Sequence, residues 1–574
     1  MKSGITRRDL LKFGGIAAIG AMSAGSLAGC APRTGNAATA ETEAEESAAS
    51  SWRVKPEPIS DIAETHDYDL VVVGAGNGDL VAAMTAQEKG FKVVVIEKSV
   101  QIAQAREAIG ALNSRYAAGH EVDIPKLMNY AQKVESGDVN MQLYRTWAEK
   151  SGEYLNWLGD IEEPQGMTFP FEYHAPDPAV APEAYYPAMC HNPVQGAFNP
   201  SGPNYGAYMH LEVLRDLYLA AGGTIEYKMP AQQLVQDTNG KVTGVIAKDS
   251  DGNYQQYNAA KGVIVCTGGY GANKEMLADL CPNSVNYCTS TSATTEEGDG
   301  IRMALWAGAV LEEGGGSMVW NRGVVADDEQ LGADLNNPLF LPGSQPFLHV
   351  NVKGERYMNE DQCYPMSYAM GQRQPKGFGW EVFDGTYWED IQRFDTGGCS
   401  RLVTAPDGSA FNADVYDCEA MSKEHLDSFW MQPMLDAGIL KKCDTLEQLA
   451  DAMKLDATAK KTFLATVERY NTVVSSGTDT DFGKEAYRTS TVDTAPFYAI
   501  RMAGNFLVTI HGVVTDTNSQ PLREDGTVID GLYVCGNDQG GFYPRNYPSN
   551  FTGINAGRVG TFARIAAKHA CNIA

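Results

Sequence analysis

Residues 70–73 form a short, unbroken apolar run, and Gly74 and Gly76 follow at once. Residues 80–87 carry the period of a helix, and a second apolar run, 93–96, ends in Glu97. Runs this short and this apolar read as strands covered on both faces of a parallel sheet. The order strand, glycine turn, helix, strand predicts a βαβ unit. Its turn suits close backbone approach to a pyrophosphate, and an acid about twenty residues on suits a ribose hydroxyl. The third glycine of the G-x-G-x-x-G pattern falls on Asp79. A carboxylate beside a phosphate is electrostatically awkward, so Asp79 is expected to point away or to pair with Arg106 or Arg115.

Farther along, residues 124–158 are polar with helical spacing, and an aromatic- and proline-rich tract covers 169–208. Strands are expected at 224–227, 233–236 and 242–248, with turns at Asn239-Gly240 and Asp251-Gly252. Residues 261–273 run a further buried strand into Thr267-Gly268-Gly269. Near the C-terminus, residues 531–536 repeat the strand-to-glycine pattern, and 554–570 read as a long helix. Three such junctions, far apart in sequence, suggest one nucleotide-binding sheet built from both ends of the chain, with a domain inserted between them.

The 574 residues suffice for two or three domains, and the net charge of −27 argues against nucleic acid and against anionic lipid. The N-terminus reads as a targeting segment over residues 1–30. Thr6-Arg7-Arg8-Asp9-Leu10-Leu11-Lys12 is a twin-arginine pattern, followed by a weakly apolar stretch. Leu27-Ala28-Gly29-Cys30 resembles a lipobox, with an incidental cysteine as the alternative. Residues 31–65 read as a disordered acidic linker. None of the 11 cysteines forms C-x-x-C or C-x-x-C-H. Cys266 and Cys535 read as core, Cys281 and Cys288 are near enough to pair, and no metal site is expected.

From residue 68 to the C-terminus the chain resembles the flavoprotein subunits of the fumarate reductase and succinate dehydrogenase family. It is nearest the exported branch with urocanate reductases and 3-ketosteroid dehydrogenases. The resemblance rests on the order and spacing of several motifs: GAGNGDLVAA, Glu97-Lys98, Cys266-Thr267-Gly268-Gly269, Gly298-Asp299-Gly300, HVNVKGERYMNE at 349–360, Gly483-Lys484, Ala495-Pro496-Phe497-Tyr498 and GLYVCG. It implies an α/β fold: a Rossmann-like FAD-binding domain over 66–341 and 506–574, with an inserted α+β capping domain over 342–505. It implies that Gly74 and Gly76 approach the pyrophosphate and that Glu97, with Lys98 beside it, takes the ribose. The family's second glycine cluster falls on Ile102-Ala103-Gln104-Ala105 and is lost, but the resemblance implies that Gly110 and Asn113, from the G-G-x-N that follows it, and Thr267, Gly268, Gly269 and Asp299 line the FAD. Asn537 stands where the family has a glutamate, and Asn550 lies near the start of the last helix, which faces the flavin pyrimidine ring.

The chain departs from the family most on the substrate side. The family's proton-donating arginine falls on Trp388, the relay arginine on Cys363, and the carboxylate-clamping arginine on Asn546. This argues against fumarate, whose two carboxylates need guanidinium clamps. Tyr387 becomes the candidate proton donor, with ordinary aromatic packing as the alternative. His511 is a candidate for polarising a carbonyl, or else a structural histidine. Arg545 is the remaining anchor for a carboxylate or carbonyl. Glu360, with Arg356, belongs either to catalysis or to the joint between domains.

The expected function is therefore an exported flavoprotein that moves a hydride between FAD N5 and an activated C=C bond of an α,β-unsaturated acceptor. Electrons would come from an external donor, a cytochrome or an FMN protein, and the membrane would be reached only through a lipid anchor. A 3-ketosteroid-type dehydrogenase and a non-catalytic, FAD-poor binding lipoprotein are the alternatives.

Overall fold

The computed structural model describes residues 51–103, 108–134, 139–172, 185–195, 206–332, 339–362, 364–394, 396, 400, 402, 423–543, 547, 548 and 550–574. The expected signal, the lipobox, Arg106, Cys363, Arg545, Asn546 and most of the aromatic tract lie outside the described residues.

Part of the stretch expected as a linker is docked on the fold. Trp52 is buried in the same core as Val71, Val94 and Met303, and Arg53 pairs with Asp279 at 3.2 Å. One large apolar side chain is worth roughly 2 kcal/mol when buried, enough to dock a short segment whose surroundings are polar.

Strand β1 (Ile62–Val73) leads into helix α1 (Asn77–Gln87) and strand β2 (Val93–Glu97). Helices α2 (Met141–Glu162) and α3 (Gly206–Ala220) follow, then strands β3 (Thr224–Tyr227), β4 (Ala231–Gln236), β5 (Val242–Lys248) and β6 (Tyr254–Val265). These six strands order as β3-β2-β1-β6-β5-β4. The pairs β3/β2, β2/β1 and β1/β6 are parallel, and β6/β5/β4 form an antiparallel extension. The apolar run 70–73 is only the end of β1. Its first half is polar and partly exposed, and it pairs with the equally polar start of β6. A strand wetted on both sides leaves no apolar alternation to read.

A second sheet takes β7 (Cys288–Ser290), β8 (Ser317–Val324), β9 (Leu348–Val350), β10 (Gly379–Phe383), β11 (Lys441–Cys443) and β12 (Phe497–Thr509), with α4 (Asp299–Trp306) after β7 and α5 (Tyr387–Phe394) after β10. Strand β12 is its spine and pairs with β7, β8, β10 and β11. This sheet thus recruits β7 and β8 from upstream of residue 342, where the capping unit was expected to begin. The chain then returns to the first sheet. Strand β13 (Leu532–Val534) lies parallel to β6, and α6 (Ile554–Cys571) packs on α1 and α2. Both ends of the chain do build one sheet.

Helix α6 approaches the sheet side through glycines. The Gly110 amide donates to the Gly553 carbonyl at 2.7 Å, and a Cβ on Gly557 would lie 1.7 Å from the Gly110 carbonyl oxygen. That oxygen is backbone, so it cannot swing aside. Gly557→Ala is expected to cost at least about 2 kcal/mol by overpacking. Urea denaturation measures it, and an unchanged midpoint would mean that this contact yields.

Candidate functional site

Gly74 adopts φ 114°, and a Cβ there would come within 2.9 Å of the Cys266 carbonyl and of both Asp79 oxygens. Only glycine fits. Gly76 is the N-cap of α1, and among the described residues a Cβ on it would meet Asp79 Oδ2 at 3.4 Å and Ala103 at 3.7 Å, both ordinary contacts. Asp79 is fully buried and turns back on its own helix, accepting the Gly76 N–H at 2.9 Å. This is the acidic half of a capping box. The expected partner Arg115 is engaged elsewhere, on Asp160 and, at 3.0 Å, on Glu163. Glu97 closes the turn from β2, accepting the amides of Ala75 at 2.9 Å and Ser99 at 2.7 Å.

Lys98 bridges Asp299, at 2.7 Å, and Glu297, at 3.0 Å. Asp299 is the first residue of α4 and also holds Arg302. Thr267 Oγ1 accepts the Gly300 amide at 2.8 Å and donates to Asp538 at 3.0 Å, and the Thr267 amide also donates to Asp538. Gly268 has φ 89°, and Gly269 abuts Thr509. Asn537 accepts from Asn555 and Arg558, both at 3.2 Å. Gly74, Gly76, Glu97, Lys98, Thr267, Gly268, Gly269, Asp299 and Asn537 thus gather along the ends of β1, β2, β6 and β13. Gly110 joins them indirectly, beneath the start of α6. Asn113 lies apart: it is exposed, with φ 55°, and its side chain accepts the Val122 amide at 2.8 Å. Asn550 donates to Tyr130 at 3.1 Å.

A dinucleotide suits this groove. Gly76 leaves room at a helix N-terminus, where a pyrophosphate is stabilised. Among the described residues, Glu296 Oε2 and Arg302 Nε are buried without a protein hydrogen-bond partner. Burial pushes Glu296 up to about 7, against the pull of Lys98. Among the described residues no cluster of His, Cys, Asp or Glu is arranged for a metal. Cys281 and Cys288 are free thiols.

The substrate-side candidates fall into three separate settings. His511 is fully buried, with Nδ1 3.1 Å from the Tyr270 hydroxyl and Nε2 3.0 Å from the Glu312 carbonyl. Both ring nitrogens are engaged, and burial holds the imidazole down to about 4. Glu360 lies in a buried charge network. Arg356 clasps it with Nε at 2.9 Å and Nη2 at 2.8 Å and reaches Asp479 at 2.7 Å, while Lys484 Nζ stands 3.2 Å away. Burial works to raise the Glu360 pKa, but Lys484 and Arg356 outweigh it and hold it below the ordinary value.

Tyr387 opens α5. Its ring packs with Phe383 and Tyr498. Its hydroxyl takes a hydrogen bond from Lys423 Nζ at 2.8 Å and donates to Asp427. Burial first, then Asp427, raises the phenol pKa. Trp388 beside it packs on the same apolar cluster.

The family model described as "FAD binding domain" matches residues 69–550. The chain belongs to this family. It is 26% identical to a vinyl phenol reductase of Lactiplantibacillus plantarum over 89% of this chain and 97% of that one. It is 30% identical to a 3-oxosteroid 1-dehydrogenase of Mycobacterium tuberculosis over 58% of this chain and 57% of that one. The fold matches the open form of a flavocytochrome c3 fumarate reductase with a TM-score of 0.62 at 22% identity, over 93% and 81% of the two chains. The protein is an FAD-dependent oxidoreductase of mixed α/β fold, related to reductases of C=C acceptors and to steroid dehydrogenases. The FAD-poor binding-protein alternative is set aside.

Some site residues were not singled out in the sequence. Asp538, one place after Asn537, ties β13 to Thr267, and its signal was simply an acid shifted by one position. Arg558 is fully buried and donates to the Gly536 carbonyl at 2.9 Å and the Gln539 carbonyl at 3.2 Å. A lone arginine among the small residues of α6 was its signal. Lys423 and Asp427 show the i,i+4 spacing of a helical ion pair.

Burial holds both His511 and His191 neutral, at about 4 against an ordinary 6.5. Below pH 6.5 the unfolded chain binds protons that the fold refuses. Each histidine therefore contributes on the order of 3 kcal/mol that is fully present above pH 6.5 and lost as pH falls to about 4. His511→Gln should remove the His511 share, on the order of 3 kcal/mol, from the stability lost between those pH values, as read in denaturation midpoints. An equally steep slope in the variant would contradict the assignment.

Proposed function

We propose that the protein reduces the activated C=C bond of an aromatic, conjugated acceptor other than fumarate. FAD, when bound, supplies hydride transfer at such a bond. The observation that carries this reading is the cluster that Tyr387, at the start of α5, forms with Lys423 and Asp427 of the helical segment 423–431. It stands next to Trp388, which replaces the guanidinium that the family resemblance calls for. A phenol held between an ammonium and a carboxylate keeps its proton on oxygen and has a cation to steady the anion left after donation. The vinyl phenol reductase relative, which matches 89% of this chain and 97% of its own, is named for an acceptor with no carboxylate to clamp. Gly74, Gly76, Glu97, Lys98, Thr267 and Asp299 would hold the cofactor. A second reading, dehydrogenation of a 3-oxosteroid-like ketone, uses the same chemistry in reverse and draws on the 30%-identical relative.

Turnover of 4-vinylphenol by flavin-loaded enzyme with reduced viologen as electron source tests the acceptor, with fumarate and a 3-oxosteroid as comparisons. Tyr387→Phe is expected to lower kcat by about a hundredfold or more while FAD stays bound. Undiminished turnover would remove Tyr387 as the proton donor.

We also propose that the enzyme is exported by the twin-arginine route and lipid-anchored at Cys30, where a separate cytochrome or FMN protein reduces it. The Arg7-Arg8 pair and Leu27-Ala28-Gly29-Cys30 support this. No helix among the described residues is long and apolar enough to cross a membrane. Arg7→Lys with Arg8→Lys should leave folded enzyme in the cytoplasm, and Cys30→Ser should release it from membranes. Fractionation that shows no change in either variant would oppose this placement.

A further inference from the structure

Three carboxyls converge beneath the glycine turn: Asp79 from α1, Glu97 from β2 and Asp538 from the loop after β13. They are not equally compensated. Glu97 accepts two backbone amides, from Ala75 and Ser99. Asp538 accepts the amide and the hydroxyl of Thr267. Asp79 accepts the Gly76 amide on Oδ2, while Oδ1 is buried with no hydrogen-bond partner.

An ionised carboxylate with a bare, buried oxygen is costly, whereas a protonated one has no charge to solvate there. Among the described residues no cation answers Asp79. Lys98 is held by Glu297 and Asp299, and Arg558 of α6 is engaged by the carbonyls of Gly536 and Gln539. The other titratable groups around it, the thiols of Cys266 and Cys535, bring no positive charge. Burial raises the Asp79 pKa well above its ordinary value, Glu97 and Asp538 add to the rise, and the Gly76 and Asp79 amides work against it. The helix N-terminus that Asp79 caps is also where a dinucleotide places its pyrophosphate, which adds negative charge to the same spot.

We propose that Asp79 stands in the FAD complex as the neutral carboxylic acid, with its proton on Oδ1. The glycine turn tolerates a carboxyl at its third position because that carboxyl brings no charge. The inference rests on FAD binding and is independent of which acceptor is reduced.

The test is infrared difference spectroscopy of the flavin-loaded protein at neutral pH, comparing the parent with Asp79→Asn and Asp538→Asn. The parent and Asp538→Asn should show a carboxylic-acid C=O stretch that Asp79→Asn lacks. Asparagine copies the shape and neutrality of the acid, so Asp79→Asn should bind FAD within about threefold of the parent by fluorescence quenching. Loss of the band in Asp538→Asn instead, or no band in the parent, overturns the inference. So does a loss of FAD affinity beyond about tenfold in an Asp79→Asn protein that melts like the parent, because the anion would then be required. A parent chain that takes up no FAD would overturn the flavoprotein assignment and this inference together.

Discussion

The parallel pairing of β1 with β6 is the constraint on which the rest of the molecule depends. Its register sets Val73 beside Val265, so the two strands end together. The glycine turn and the Thr267-Gly268-Gly269 loop are therefore neighbours, although nearly two hundred residues separate them. Strand β13 then joins the far side of β6 in register with Val265 and brings Asn537 and Asp538 to the same edge. This one alignment of strand ends brings the glycine turn, the Thr267-Gly268-Gly269 loop and Asn537 to one edge.

The charges follow a division of labour. On the nucleotide side, acids outnumber the available cations and are compensated chiefly by backbone amides and hydroxyls. In the second sheet's domain, Glu360 and Asp479 are matched by Arg356 and Lys484 in a largely buried network. Such a network adds little net stability over apolar packing, yet removing one member strands the others. It fixes the segment 349–360 firmly against residues 479–484, whatever part Glu360 plays in chemistry.

The nucleotide-binding frame was legible because its signals are local: apolar runs, glycines and an acid at a set distance. Helix α6 and strands β3 and β5 stood where their patterns placed them. The polar half of β1 could not be read, because a strand solvated on both faces has no periodic signature. The early start of the second sheet was equally hidden, since β7 and β8 owe their place to pairing with β12. His511 was ambiguous in sequence. Its seal between Tyr270 and the Glu312 carbonyl arises from contacts more than a hundred residues away. The role of Asp79 needed the positions of Glu97 and Asp538, which no spacing rule supplies.

Strand β12 carries a consequence for how the molecule moves. Its thirteen residues run without a break from the capping side, where they pair with β10 and β11, to Thr509, which holds the Tyr270 amide at 3.0 Å on the nucleotide side. Main-chain hydrogen bonds along this one strand tie the two sides into a shared sheet, with register shifts in its pairing to β8, so a change in the angle between them has to be absorbed by that sheet.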